Sequence, residues 1–248
     1  MTSRLVALCL DAADHRQLAR FWAELLGREQ REDAGGAFVP GDDSQVSLRF
    51  VPSRTARLGP NRVHLHLTSS SQHDQQRKVA RALRLGASHL DVGQRPEEGH
   101  VVLADPEGNA LCVIEAGNGF LAGCGVLGEV ACEGTRAVGL FWSEALDWPL
   151  VWDRDQETAV QSPDGGTKVA WGGPPVPQLT GGRRQRFLLE PKDPHDQRTE
   201  VDWLVALGAT RLDLTAHGAV RLADPDGNEF VMLAPVTARL DPNDQLGC

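Results

Sequence analysis

Asp105-Pro106-Glu107-Gly108-Asn109 returns 119 positions later as Asp224-Pro225-Asp226-Gly227-Asn228. Proline presets the first corner of a turn, the aspartate before it can cap that turn, and the glycine supplies a left-handed residue. Each copy therefore predicts a tight hairpin between two strands. Further blocks recur in the same order. Phe21-Trp22-Ala23-Glu24 returns as Phe141-Trp142-Ser143-Glu144, His73-Asp74-Gln75 as His195-Asp196-Gln197, and Leu85-Gly86-Ala87 as Leu207-Gly208-Ala209. Matches that keep their order and nearly their spacing imply an internal duplication. The period is far longer than a solenoid unit, so two domains are expected. They are 1–118 and 125–236, joined where Gly117, Gly119, Gly123 and Gly125 punctuate the chain and followed by a polar tail, 237–248.

Within the first repeat, residues 4–10 read as a strand. Asp14 is a plausible N-cap, Leu18, Phe21, Trp22, Leu25 and Leu26 follow helical spacing, and Gly27 is a natural stop. Short strands follow near Ala37–Val39 and Val46–Val51. The pattern then starts again. Val63, Leu65 and Leu67 alternate with His64, His66 and Thr68, a helix covers about Asp74 to Leu85, and strands lie near Ser88–Asp91, His100–Ala104 and Ala110–Glu115. The second repeat has the same plan, with helices near Val138–Leu146 and Thr199–Leu207. The expected fold is α+β: tandem βαβββ modules, two per domain and four in the chain, forming curved mixed or antiparallel sheets with helices on the convex face. The opposite face is left as an open cup between half-domains, the default place for a small ligand.

The chain has 248 residues, 41% hydrophobic and 24% charged, with a formal net charge of −9. An acidic surface repels phosphate and anionic lipid, so neither nucleic acid nor membrane is an expected partner. Arg183, Arg184 and Arg186 form a local basic cluster that could grip an anionic small molecule. Five cysteines without a CxxC pair fit reduced thiols and a cytoplasmic location. Neither a secretory leader nor a membrane span is read in the sequence.

Asn61-Arg62-Val63-His64-Leu65-His66-Leu67, Leu85-Gly86-Ala87 and Asp105-Pro106-Glu107-Gly108-Asn109 resemble the second module of a glyoxalase-like domain. Asp11 through Asp14, Leu18-Ala19-Arg20-Phe21-Trp22 and Leu26-Gly27 resemble its first module. The resemblance is to the glyoxalase/bleomycin-resistance type of the vicinal-oxygen-chelate superfamily. It implies paired βαβββ modules around a cup-shaped site. The activities it implies are diverse: isomerases, lyases, ring-cleaving dioxygenases, epimerases, thiol transferases and proteins that only sequester antibiotics. Enzymes of that superfamily usually hold a divalent metal with His, Glu or Gln from the first and last strands of paired modules.

Carried over residue by residue, His64 matches the first-strand ligand, and the last-strand Glu falls on Cys112. Arg186 stands where the second repeat would have its His64, and Val231 where it would have a carboxylate. The only metal candidate is then His64, with His66 or Cys112 completing a reduced set, so no cofactor is expected. His64 and His66 share a strand face and are read as ligand contacts or a proton shuttle, or else as solvated histidines. Cys112 is read as a nucleophile or a small buried hydrophobe, Trp171 as a surface for stacking on a planar ligand or a packed sheet aromatic. Arg186 is an anion contact or the partner of Glu190. Trp22 and Trp142 are expected in the core, and Cys124 and Cys132 as structural. The function expected is binding of a small apolar or aromatic molecule without metal, with a metal-dependent lyase or isomerase as the alternative and a homodimer as a further expectation.

Overall fold

The structure, a computed structural model, describes residues 3–54, 61–95, 97–176, 184–193, 196–215 and 217–235. Arg183, His195, Cys248 and the polar tail lie outside the described residues.

Each quarter of the chain runs strand, helix, three strands. The first module is β1 (Ser3–Ala12), α1 (His15–Leu26), β2 (Arg31–Asp33), β3 (Gly36–Val39) and β4 (Leu48–Pro52). The second is β5 (Val63–Leu67), α2 (Gln72–Arg84), β6 (Ser88–His89), β7 (Val101–Ala104) and β8 (Ala110–Val113). The third is β9 (Leu127–Cys132), α3 (Arg136–Leu146), β10 (Leu150–Arg154), β11 (Glu157–Gln161) and β12 (Lys168–Trp171). The fourth is β13 (Gln185–Pro191), α4 (Gln197–Ala206), β14 (Thr210–Leu214), β15 (Val220–Ala223) and β16 (Glu229–Met232).

Local chemistry explains these boundaries. The Asp14 side chain accepts the Gln17 N–H at 2.9 Å and opens α1, and Gly27, at φ 70°, closes it in the left-handed region. In the β7–β8 hairpin, Asp105 Oδ1 accepts the backbone N–H groups of Glu107 at 3.0 Å and Asn109 at 2.8 Å, with Gly108 at φ 79°. Asp224 repeats this with Asp226 at 3.1 Å and Asn228 at 2.9 Å. The turns also brace helices. Glu107 Oε1 accepts the N–H of Asp14 at 2.9 Å, and Asp226 accepts the N–H of Thr135, the N-cap of α3, at 2.6 Å. The hairpin of one module thus secures the helix of the other module in the same repeat.

Two eight-stranded sheets result, ordered β14-β15-β16-β13-β1-β4-β3-β2 and β10-β11-β12-β9-β5-β8-β7-β6. Both are mixed. β1 is antiparallel to β13 and parallel to β4, while β5 is antiparallel to β9 and parallel to β8. The first module therefore shares a sheet with the fourth, and the second with the third. A cup inside one repeat would need both of its modules in one sheet. Instead each sheet draws on both repeats, because first strands from different repeats pair across its middle.

Alternation sends Leu8 and Leu10 of β1, Leu65 and Leu67 of β5, Val130 of β9 and Leu189 of β13 into one core cluster with Trp22 and Trp142. Burying each such leucine stabilises the fold by about 1.5–3 kcal/mol. α3 touches β10, β11 and β12 of one sheet and β1 of the other, so the helical faces of both sheets share this core. Residues of the other parity line the opposite faces: Ala7, Cys9, Val51, Leu188 and Val231 in one sheet, Val102, Cys112 and Ile114 in the other. Among the described residues no helix is long and apolar enough to cross a membrane.

Candidate functional site

On the sheet built from the second and third modules, strand register assembles two parallel rows on the face turned away from the helices. The first row crosses five strands as Cys112 (β8), His66 (β5), Glu129 (β9), Lys168 (β12) and Gln161 (β11). The second runs His64 (β5), Ala131 (β9), Ala170 (β12), Ala159 (β11) and Trp152 (β10). A line of acid, base, thiol and amide groups therefore borders a strip of methyl groups that ends at an indole. His64 and His66 both point to this face, their rings 6.5 Å apart and 25° from parallel. Ala131 and Ala170 are half-buried, as are both histidines.

His66 lies between the two strands that flank β5. Its Nδ1–H donates to Glu129 Oε2 at 2.7 Å, the length of a charge-assisted bond, and Cys112 stands at matching register on the strand at its other side. Burial alone would lower the basicity of the imidazole. The bonds to Cys112 and Glu129 and the attraction of their charges overcome it, and the pKa is pushed up to about 10. His64 moves the other way. Burial lowers its pKa, the neighbouring His66 lowers it further, and the more remote Glu129 opposes the shift. Two histidines two residues apart thus hold their protons very differently.

The segment between the repeats lies against one flank of this face. Leu121 and Cys124 pack with Val102, Cys112 and Ile114. Lys168 Nζ donates to the Phe120 carbonyl and sits 4.2 Å from the centre of its ring. The Phe120 ring in turn meets Trp152 edge-on at 5.7 Å. Gln45, reaching from the loop before β4, clamps the same segment by donating to the Cys124 carbonyl at 2.6 Å and accepting from Leu127 N–H at 3.0 Å. A stretch that reads as a simple glycine-rich linker is therefore built into the edge of the site.

The other sheet presents ion pairs. Arg186 donates to Asp11 Oδ1 at 2.8 Å, Arg49 to Asp33 at 2.6 Å, and Arg221 to Glu229 at 3.0 Å. Glu190, the partner expected for Arg186 from the sequence, binds Arg4 instead. The register explains it, since Arg186 pairs with Cys9 on β1 and so lies near Asp11, whereas Glu190 pairs with Arg4. Trp171 also needs correction as a stacking surface. It is 2% exposed, on the helical face of β12, with its ring stacked 6.5 Å from Trp142. Alternation from Lys168 and Ala170 puts it on the core side. His64, His66 and Cys112 do come together on one face, and Arg186 lies in the other sheet.

The residues present do not fit a divalent metal. The first and last strands of the two modules offer His66, Cys112, Glu129 and Lys168 at matching register. A lysine ammonium is a donor without a free lone pair, and Glu129 is engaged by His66. His64 faces Ala131 across β9 rather than a carboxylate. In the other sheet Cys9 is flanked by Arg49 and Arg186. Among the described residues no three His, Cys, Asp or Glu side chains converge as a metal site.

Glu129 is the residue that sequence reasoning missed, and with it Lys168, Gln161 and Phe120. The reduced set expected from the sequence, His64 with His66 or Cys112, left out Glu129, which lies 2.7 Å from His66. Alternation within Glu129-Val130-Ala131-Cys132 does place Glu129 opposite the core positions. No local pattern says that this strand from the second repeat lies beside β5 of the first.

Comparisons with known proteins agree with this architecture. Crystalline glyoxalase I from Zea mays superposes with a TM-score of 0.66 at 14% identity, covering 96% of this chain and 94% of that one. A putative dioxygenase from Bacillus subtilis subsp. subtilis strain 168 gives 0.63 at 12% identity, covering 99% and 91%. At such identities the likeness is one of fold. No curated protein matches the sequence. A family model described as Glyoxalase-like domain matches residues 7–114 and again residues 129–233, most of both repeats. The chain therefore belongs to the glyoxalase-like domain family, with two tandem copies of the domain.

Proposed function

We propose that this protein binds a small molecule with an apolar or aromatic body on the non-helical face of the sheet shared by the second and third modules, without a metal ion. The observation that carries this reading is the pairing of rows. The half-buried Ala131 and Ala170 leave room for a flat apolar body, and His66 and Glu129 stand along its border to contact polar substituents. Small side chains in mid-sheet, where larger ones would normally pack, are what a ligand floor requires.

The test uses a defined probe, the aromatic sulfonate 1-anilinonaphthalene-8-sulfonate, followed by fluorescence. Ala131→Trp and Ala170→Trp fill the methyl strip. Each is expected to weaken probe binding at least tenfold while leaving the melting temperature nearly unchanged. Equal binding by wild type and both variants would place the ligand elsewhere and overturn the reading. Elemental analysis of untagged protein purified without chelator tests the remaining element. A stoichiometric divalent metal lost in His64→Ala would favour a metal-dependent lyase or isomerase instead.

A further inference from the structure

Cys112, His66 and Glu129 occupy one register line on three adjacent strands, so the imidazole lies between the thiol and the carboxylate. That order, nucleophile then base then orienting acid, is the arrangement by which a weak nucleophile is activated. Glu129 accepts from Nδ1, which leaves the remaining edge of the ring for the thiol. Cys132 and Cys124 are placed differently. Cys132 is buried in the core with its thiol donating to the Val130 carbonyl, and burial pushes its pKa well up. Cys124 sits beside the Gln161 amide, and burial raises it too.

We propose that Cys112 is a nucleophile that adds to an electron-poor alkene conjugated to a carbonyl, with His66 as its proton carrier and Glu129 as the positioning residue. The proposal rests on the reading that this face receives a ligand, and it names the class of that ligand. In the step, the pair reacts in its charge-separated form, the Cys112 proton already resting on His66, so that a thiolate faces an imidazolium. Sγ forms a bond to the β-carbon, and the π pair moves towards the carbonyl as an enolate. His66 then returns the proton to the α-carbon, and the product is a neutral thioether. No leaving group and no further reagent are needed. Acyl transfer is less well served. It requires donors for an oxyanion, and the side-chain donors along this row are already engaged, Lys168 by the Phe120 carbonyl and Gln161 by the Gly166 carbonyl.

Access is provided by the methyl strip. Cys112 itself is 8% exposed, and Ala110, two residues before it on the same face of β8, is half-buried next to the histidines. A small planar electrophile lying along that strip reaches Sγ from the His64 side, away from the Leu121 and Cys124 flank.

The experiment is alkylation of the whole native protein by N-ethylmaleimide, read at each cysteine by peptide mass spectrometry so that every thiol reports separately. Cys112 is expected to react at least tenfold faster than Cys132 and Cys124. His66→Gln is expected to slow Cys112 at least tenfold. Glu129→Gln is expected to slow it several-fold in the wild-type background and to have no effect in the His66→Gln background, a dependence that a purely structural role would not produce. Circular dichroism melting identifies any variant that is unfolded. His66→Asn then replaces His66→Gln, with the same slowing expected. The proposal is overturned if native Cys112 reacts no faster than Cys132, or if a folded His66 variant labels at the wild-type rate. Loss of probe binding in Ala131→Trp with Cys112 unreactive in wild type would sink the thiol chemistry alone. Fast Cys112 labelling with unchanged probe binding in that variant would sink the binding site as drawn.

Discussion

Trp22 Nε1–H donates to Asp105 Oδ2 at 3.1 Å, although 83 positions of chain and a change of sheet separate them. The second repeat forms the same bond, from Trp142 to Asp224 at 3.3 Å. The two motifs that best reveal the duplication are therefore one structural device. The indole of each first helix ties down the turn aspartate of the following module, and the turn braces the start of that helix. This bond holds the two modules of a repeat together although their strands belong to different sheets.

Replacing the indole by a phenyl ring tests the device. Trp22→Phe and Trp142→Phe each remove a donor from a buried carboxylate whose pKa burial already raises. A loss of about 1–3 kcal/mol is expected in each, of similar size in both. Urea unfolding measures it. A loss confined to one repeat would show that the two bonds are not equivalent.

The charge state of His66 should make stability depend on pH. Its pKa is about 10 in the folded chain and near the ordinary 6.5 when unfolded. The folded form binds the proton more tightly, so the contribution is fully present below about 6.5, declines as pH rises, and is gone above 10. Urea midpoints from pH 6 to 10.5 should fall more steeply for wild type than for His66→Gln. Parallel curves would show that the imidazole gains no proton affinity on folding.

Lys168 should control the segment between the repeats. Lys168→Met removes both its bond to the Phe120 carbonyl and the cation over the Phe120 ring. A cation–π contact of about 0.5–2 kcal/mol corresponds to amide exchange roughly 2- to 30-fold faster. Hydrogen exchange followed by mass spectrometry should show the increase in residues 119–124, with α1 and α3 unchanged.

Gly139 is a packing requirement. A Cβ built there would lie 1.9 Å from Thr158 Oγ1 and 2.5 Å from Thr158 Cβ, and Thr158 is 1% exposed. Gly139→Ala therefore forces α3 off β11 and should cost about 1–3 kcal/mol by urea unfolding, even though alanine is the better helix former.

Much of the fold was legible along the chain. The α1 cap at Asp14, its stop at Gly27 and the two Asp-Pro-x-Gly-Asn hairpins are decided by residues within a few positions of each other, and all appear where the spacing puts them. The grouping of His64, His66 and Cys112 was legible in part, because alternation and turn spacing set their faces. Trp171 was legible only as two alternatives, a stacking surface or a packed sheet aromatic, and its packing on Trp142 decides for the second. The partner of Arg186 was not legible, since it depends on which residue of β1 lies opposite.

The sequence by itself determined four βαβββ modules, the duplication that relates them, and the shared strand face of His64 and His66. Those properties depend on backbone dihedrals, turn chemistry and period-two alternation, which act over a few residues. Only the tertiary structure decided that modules pair across the repeats, and hence that Glu129 arrives beside His66 and a strip of alanines beside His64. The physical reason is that edge strands can pair with several partners at similar local cost. The choice among them is made by packing one shared core, a sum over contacts far apart in the chain.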